Sequence, residues 1–280
     1  MQSVTILFFS ALLFLIAIFA GLMGALTGMG GGFIITPVLV LGFGVDIHYA
    51  LGASLITVLA TSTGGNILYL KQGYSNLRIG MLLEVSAVIG ALVGAVLVSY
   101  IASSYISILF GCILLVSAYF TIRRNEAVTA YFPSHHWAHY FQLEGSYPTK
   151  QGMKKYSVYH VRLALFFMGI AGMLSGLLGI GSGSLKVLAM DQAMKLPYKV
   201  STATSNFMIG ITAGVSVGIY FSQGYIDPLL TFPIMLGVLI GAMSGAKILP
   251  KIQTAKLRLL FSVVILIFSV QMIYKGLTGL

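Results

Sequence analysis

Long apolar runs recur along the chain and are separated by short polar stretches. A run of about 20 apolar residues can cross the hydrocarbon core of a bilayer, which is about 30 Å thick. Ten apolar segments fall at 3–26, 33–45, 49–70, 79–100, 104–122, 161–178, 184–194, 200–222, 228–249 and 257–275. The second and the seventh contain only about a dozen residues, which is short for a crossing. The pattern predicts an all-α polytopic membrane protein with about ten membrane segments.

The two halves of the chain repeat each other when the sequence is shifted by 151 residues. Glycine and polar positions stay in register, which apolar similarity alone does not produce. The aligned positions include Gly28/Gly179, Gly30/Gly181, Gly32/Gly183, Ser54/Ser205, Thr61/Thr212, Tyr69/Tyr220 and the QGY triplets at 72–74 and 223–225. We therefore predict a single membrane domain with two five-segment repeats, at 1–122 and 161–280, joined by a connector at 123–160.

Composition and charge predict how the chain lies in the membrane. Of its residues, 58% are hydrophobic and 8% are charged, against about 25% charged in soluble domains. If all ten segments cross, 14 of the 16 Lys and Arg fall on one side, Lys275 falls on the other and Lys186 lies within a segment. If the two short segments instead return to the side from which they came, the same 14 divide eight to six.

Basic residues collect on the cytoplasmic side of a membrane. We therefore expect all ten segments to cross the cell membrane, with the connector in the cytoplasm and both termini outside. The net charge of +10 is then an orientation signal, and we expect the lipid bilayer and no nucleic acid as a partner. Five crossings per half place the repeats in opposite orientations, and inverted repeats are typical of secondary transporters.

Two glycine-rich stretches interrupt the apolar pattern, TGMGGGF at 27–33 and GIGSGS at 179–184. Backbone leaves the helix at membrane depth only where protein or a watery cavity satisfies its polar groups. A break before a short helix offers backbone N–H groups to an anion, so we predict substrate contact at Gly28, Gly30, Gly31, Gly32, Gly179, Gly181, Ser182 and Gly183. For Gly24/Gly28, Gly90/Gly94, Gly172/Gly176 and Gly241/Gly245, the spacing of four favours close helix packing instead.

The stretches GALTGMGGGFIITPVLV and GLLGIGSGSLKVLAMDQAMKLPYKVSTATSNFMIGITAG resemble the paired signatures of the TauE/SafE family of membrane permeases. The likeness covers both halves of the chain. It implies a transporter for a small sulfur-containing anion, such as sulfite or an organosulfonate, with an anion channel as the alternative. Ser182 replaces the Gly31 of the first stretch, and Leu188 replaces its Pro37, so the substrate within the family stays open.

Polar side chains inside the apolar segments are the remaining candidates. Lys186 would be balanced by a bound anion, or it would snorkel to an interface or pair with a helix end. Glu84 is a candidate for proton coupling, or it lies near the interface. Hydroxyl and amide groups of the third segment of each half would bind the anion's oxygens or join helices; they are Ser54, Thr57, Thr61, Thr204, Ser205, Asn206 and Thr212.

Other chemistry is not predicted. Ser182 lacks a nearby histidine base, because all five histidines fall in loops or at their edges, so we expect no enzyme. The HHWAH stretch at 135–139 has no neighbouring cysteine or carboxylate, and we interpret it as a membrane-surface segment and not as a metal site. No cofactor is expected, and a homo-oligomer is left open.

Overall fold

The computed structural model describes residues 2–28, 30–123, 136–149, 152–248 and 254–279. A helix lies in each of the ten apolar segments. The first half contains α1 (Gln2–Thr27), α2 (Gly32–Pro37, continued by a π-helix over Val38–Gly42), α3 (Ile47–Lys71), α4 (Leu77–Leu97, continued by a 3₁₀ turn over Val98–Tyr100) and α5 (Ser103–Arg123). The second half contains α7 (Val161–Leu178), α8 (Gly183–Gln192), α9 (Tyr198–Ser222), α10 (Pro228–Ile248) and α11 (Thr254–Thr278).

The predicted class, a helical polytopic membrane protein, is confirmed. Within the described residues, six helices are long and apolar enough to cross a membrane: Phe9–Thr27, Ile47–Lys71, Leu77–Tyr100, Val161–Leu178, Tyr198–Ser222 and Pro228–Ile248. As predicted, the helix after each glycine-rich stretch is short. The two short helices differ in regularity. In the first, Pro37 contributes no N–H donor, and the chain continues beyond it as a π-helix, whereas α8 is a regular α-helix.

The helices pack in pairs that are related by exchange of the two halves. Helix α1 packs along α10 and α4 along α7, while α3 packs against α9 at the centre and α5 against α11. Small residues make this close approach possible. A Cβ atom on Gly94 would lie 2.0 Å from the Met173 carbonyl oxygen, and one on Gly241 would lie 2.0 Å from that of Ile18. The glycine pairs of α4 and α10 are therefore packing positions, as their spacing predicts.

The connector contains structure that the sequence pattern did not predict. It forms α6 (His136–Tyr140) and an antiparallel hairpin of β1 (Gly145–Thr149) and β2 (Gly152–Tyr156). Asn76, which caps α4, donates from Nδ2 to the Leu143 carbonyl (3.0 Å) and to the Tyr156 hydroxyl (2.8 Å). Burial raises the pKa of the Tyr156 phenol, against the opposing effect of this hydrogen bond. The hairpin is thereby held at the end of the bundle where α3 ends and α9 begins. Of the HHWAH stretch, His135 lies outside the described residues.

Candidate functional site

Two glycine-rich stretches lie between α1 and α2 and between α7 and α8, each including the first residue of the short helix that follows. We call them the glycine arms: arm 1 is residues 28 and 30–32, and arm 2 is residues 179–183. Backbone φ is positive at Gly28 and Gly30 in arm 1 and at Gly179, Gly181 and Ser182 in arm 2. This left-handed region is easily adopted by glycine and is unfavourable for residues with a side chain. Ser182 adopts it nevertheless, with φ of 39°.

The arms converge on the same two side chains, Val58 of α3 and Ile209 of α9. A Cβ atom on Gly30 would lie 3.0 Å from Val58 and 3.4 Å from Ile209, and one on Gly181 would lie 2.6 Å and 3.5 Å from them. Val58 and Ile209 are themselves equivalent in the repeat. Every described residue of both arms is buried. The two arms therefore meet at the centre of the protein.

Each arm is held by a serine from the other half, and we call Ser54 and Ser205 the arm serines. The Ser205 hydroxyl donates to the Gly28 carbonyl at 2.9 Å, and the Ser54 hydroxyl donates to the Gly179 carbonyl at 2.6 Å. Their donors are occupied by the backbone of the arms. The arm serines thus hold the arms in place rather than leave a free O–H for a ligand.

Two equivalent tyrosines hold the ends of the helices that lead into the arms. The Tyr69 hydroxyl donates to the Ala25 carbonyl at 2.7 Å, and the Tyr220 hydroxyl donates to the Leu177 carbonyl at 3.0 Å. Helix ends leave backbone carbonyls without helical partners. These phenols satisfy one carbonyl in the last turn of α1 and one in the last turn of α7.

Most of the other predicted polar residues are also engaged within the protein. Thr57 and Thr61 donate to carbonyls one turn earlier in α3, and Thr61 accepts the Gly31 N–H at 3.2 Å. The arm donor at Gly31 is therefore already occupied, unlike the free group that the sequence led us to expect. Thr204 accepts the Asn76 N–H at 3.0 Å. Among the seven predicted residues of α3 and α9, only Asn206 has a side chain without a hydrogen-bond partner in the described structure.

Arm 2 differs from arm 1 at Ser182. The Ser182 hydroxyl donates to the Ala171 carbonyl in α7. At the equivalent place in arm 1, a Cβ atom on Gly31 would lie 3.1 Å from the Ala20 carbonyl oxygen. The Ser182 side chain thus occupies the space between arm 2 and α7, where arm 1 has only the backbone of Gly31 against α1. Its hydroxyl is engaged by the Ala171 carbonyl and is not a free donor.

A buried group of polar side chains lies beside the arms, and we call Lys186, Glu84 and Thr212 the charged triad. Lys186 Nζ lies 3.2 Å from Glu84 Oε2. The Thr212 hydroxyl is hydrogen-bonded to both side chains. Lys186 is fully buried, and the side chain of Glu84 is 5% exposed. Glu84 therefore supplies the counter-charge that we expected from a bound anion, and its side chain is buried within the protein.

Two residues that the sequence pattern did not single out belong to this region. The hydroxyls of Ser201 and Thr202 in α9 are fully buried and have no hydrogen-bond partner in the described structure. A Cβ atom on Gly28 would lie 2.7 Å from Thr202 Cγ2. The stretch STATSN at 201–206, which contains them, aligns with ALGASL at 50–55 in the first half. A position-by-position comparison of the two halves would therefore have shown Ser201 and Thr202 as polar residues at positions that are apolar in the first half.

Comparison with known proteins agrees with the helical membrane architecture. The family model described as "Sulfite exporter TauE/SafE" matches residues 13–272. The chain is 26% identical over 273 residues to "Probable membrane transporter protein YunE" of Bacillus subtilis, covering 95% of this chain and 98% of that one. It is 30% identical over 245 residues to "Probable membrane transporter protein YdhB" of the same organism, covering 86% of this chain and 90% of that one. It is 26% identical over 268 residues to "Probable membrane transporter protein MJ0441" of Methanocaldococcus jannaschii, covering 90% of each chain. No solved structure matches.

Proposed function

The chain belongs to the sulfite exporter TauE/SafE family of membrane transporters, and we propose that it carries a small sulfur-containing anion, such as sulfite or an organosulfonate, by alternating access. The observation that carries this proposal is the convergence of the two glycine arms on Val58 and Ile209. Interrupted helices that meet at the interface between repeats are where secondary transporters bind their substrates. The burial of both arms supports a transporter, in which the substrate is enclosed, over an anion channel.

We propose that the two repeats are inverted and that the connector is cytoplasmic. The charge division of 14 against 1 supports this orientation, and the exchangeable helix pairs support the repeat. Cysteine labelling in intact cells tests it. After Cys112 is replaced by serine, a membrane-impermeant maleimide should label a cysteine at position 2 but not one at position 154. Labelling at 154 in intact cells would contradict both the ten-crossing topology and the inversion.

Glu84 is proposed to carry a proton that is coupled to the anion. The ion pair of Lys186 and Glu84 is neutral as a unit, and an anion that approaches Lys186 would leave one uncompensated negative charge. Isolated buried charges are costly. A proton taken up by the Glu84 carboxylate would restore neutrality, so that one proton moves with each monovalent anion. Thr212 follows Ile209 by three residues, about one helical turn, so the charged triad lies within one turn of the point where the arms meet.

Transport by the purified protein in liposomes tests the proposed function. Uptake of ³⁵S-labelled sulfite should saturate with concentration, and unlabelled sulfite inside the vesicles should accelerate it by counterflow. Protein-free liposomes and labelled chloride are the controls. A linear, non-saturating flux that carries current in planar bilayers would favour the channel and contradict alternating access.

The coupling is tested separately with an anion that does not itself titrate, such as methanesulfonate or thiosulfate. An inward proton gradient should accelerate its uptake by the unmodified protein, because protonation of Glu84 accompanies anion binding. Glu84→Gln should transport without responding to the gradient, whereas Glu84→Asp should keep the response. Equal acceleration in Glu84→Gln would assign the coupling to another group.

A further inference from the structure

Three buried side chains at the beginning of α9 have polar atoms without a partner in the described structure. The hydroxyls of Ser201 and Thr202 and both amide atoms of Asn206 form no hydrogen bond there, and all three residues are fully buried. More than nine in ten buried polar groups are satisfied in proteins, and each exception needs an explanation. Leaving a buried donor unpaired costs about 1–3 kcal/mol. A group of three such residues on two helical turns therefore points to something that binds them.

Thr202 and Asn206 lie on one face of α9, between arm 1 and α3. They are four residues apart and so share a helical face. A Cβ atom on Gly28 of arm 1 would lie 2.7 Å from Thr202 Cγ2. One on Gly65 of α3 would lie 2.9 Å from Asn206 Nδ2 and 3.5 Å from the ring of Tyr69. Thr202 therefore borders arm 1, which Ser205 holds, and Asn206 lies one turn further along α9 against α3.

Packing alone does not require polar residues at these positions. The equivalents of Ser201, Thr202 and Asn206 in α3 are Ala50, Leu51 and Leu55, which are also fully buried. The approach of arm to helix backbone is similar in both halves, because a Cβ atom on Gly179 would lie 2.7 Å from the Leu51 carbonyl oxygen and one on Gly28 would lie 3.0 Å from that of Thr202. Apolar side chains thus suffice to build the first half. The polar ones in α9 need a different reason.

We propose that Thr202 and Asn206 form a binding subsite for the oxygens of a sulfur oxyanion, beside arm 1. This inference rests on the proposed function and assigns part of its substrate recognition. The Thr202 hydroxyl offers one donor and the Asn206 amide offers two, whereas a sulfite or sulfonate group presents several acceptor oxygens. Neutral donors suit an anion that must leave again, because they place no fixed counter-charge beside it.

The subsite is distinct from the charged triad. Asn206 and Thr212 are six residues apart on α9, a rise of about 9 Å along the helix. The arms lie between them, at the level of Ile209. Asn76 joins the start of α9 to the connector, through Thr204 at one end and Leu143 at the other. The oxyanion subsite therefore lies on the connector side of the arms, and α9 runs from it past the arms to Lys186 and Glu84.

Binding and stability measured together test this subsite. The variants Thr202→Val and Asn206→Leu replace each polar side chain with an apolar one of similar size. We expect each to weaken the binding of sulfite and of methanesulfonate to the purified protein at least tenfold. The melting temperature of the empty protein should stay the same or rise, because an unpartnered buried polar group is removed. Thr202→Ser, which keeps the hydroxyl, should retain binding.

Thr231→Val is the matched control, because the Thr231 hydroxyl is buried but donates to the Asp227 carbonyl at 2.8 Å. It should lower the melting temperature and leave anion affinity unchanged. Unchanged affinity in both Thr202→Val and Asn206→Leu would overturn the subsite, whatever their stability, while the proposed transport function would stand. If the unmodified protein binds neither anion, the proposed function fails and the subsite fails with it.

Discussion

Where the two arms meet, the two halves contribute equivalent residues, but one helical turn away from Val58 and Ile209 their residues differ. Val58 and Ile209 lie against both arms, and Ser54 and Ser205 hold one arm each with equivalent hydrogen bonds. The repeat does not produce a second copy of the charged triad. At the equivalent positions, Ile35 of the first half corresponds to Lys186, Met235 of the second half corresponds to Glu84, and Thr61 accepts an N–H of arm 1 instead of contacting charges.

The difference separates two kinds of residue at the site. Residues that the halves share bind backbone atoms of the arms and set their shape. Residues that the halves do not share bring the charge and the unpartnered polar atoms, in Lys186, Glu84, Thr202 and Asn206. A duplicated fold supplies two arms, one from each half, but one substrate needs only one set of chemical contacts. We therefore expect substrate recognition to depend on the positions at which the two halves carry different residues.

The largest effect is expected from filling the arms, which both halves share. Gly181→Ala and Gly30→Ala should each abolish transport, because the added Cβ would lie 2.6 Å and 3.0 Å from Val58 in backbone of positive φ. Transport is measured as sulfite uptake by liposomes that contain equal amounts of protein.

Gly224→Ala is the control for these variants, because Gly224 also has positive φ, of 76°, but nothing lies within 4 Å of its Cβ position. This variant should lose about 1–2 kcal/mol of stability from the backbone conformation alone and keep transport. Full transport in Gly181→Ala would mean that the arms serve only for packing.

The next effect is expected from replacing Lys186 and Glu84 with the residue types at their equivalent positions in the repeat, Ile35 and Met235. Lys186→Ile alone should destabilise the empty protein by about 3–5 kcal/mol, because it leaves the Glu84 carboxylate buried and unpaired. The double variant Lys186→Ile with Glu84→Met should recover most of that stability, since it leaves no buried charge without a partner. Thermal unfolding in detergent measures both effects, and transport should be lost in both variants.

The double variant decides whether the ion pair serves stability or transport. If it were no more stable than Lys186→Ile, the single variant's loss would come from packing and not from the unpaired carboxylate. If it transported normally, the charged triad would have no part in the anion's path.

The smallest effect is expected at the arm serines, where the halves agree. Ser54→Ala and Ser205→Ala should each lower the free energy of unfolding by about 1–3 kcal/mol, because each leaves a buried carbonyl of an arm without its donor. The two losses should be similar, since the two hydrogen bonds are equivalent. Melting temperatures of the two variants, measured side by side, check this symmetry. A loss confined to one serine would show that the arms are held differently.

Much of the fold could be predicted from the sequence, because membrane helices are marked by local features. The predicted segment at 79–100 coincides closely with α4 and the 3₁₀ turn after it, which together span Leu77–Tyr100, since length and hydropathy alone suffice to identify a spanning helix. The glycine-rich stretches marked the arms because glycine is unfavourable inside a helix and favourable at positive φ. Neither inference needs knowledge of what lies beside the segment.

The partner of each buried polar residue could not be predicted in the same way. Glu84 and Lys186 are 102 residues apart in the sequence. The residues around Lys186 in the sequence do not distinguish a lysine that binds a substrate anion from one that is paired with a carboxylate of the protein. The hairpin at 145–156 is held by Asn76 of a distant helix end, so its short polar strands carried no signal of their own.

The sequence by itself determined the ten apolar segments, the two glycine arms and the repeat that relates them. These follow from the solvation of each segment and from the backbone preferences of its residues, which are local properties. Only the tertiary structure decided that Ser54 and Ser205 hold the arms, that Glu84 balances Lys186, and that Thr202 and Asn206 have no partner. A hydrogen bond or an ion pair depends on distances of about 3 Å between atoms, and such distances between remote residues are fixed only when the helices pack.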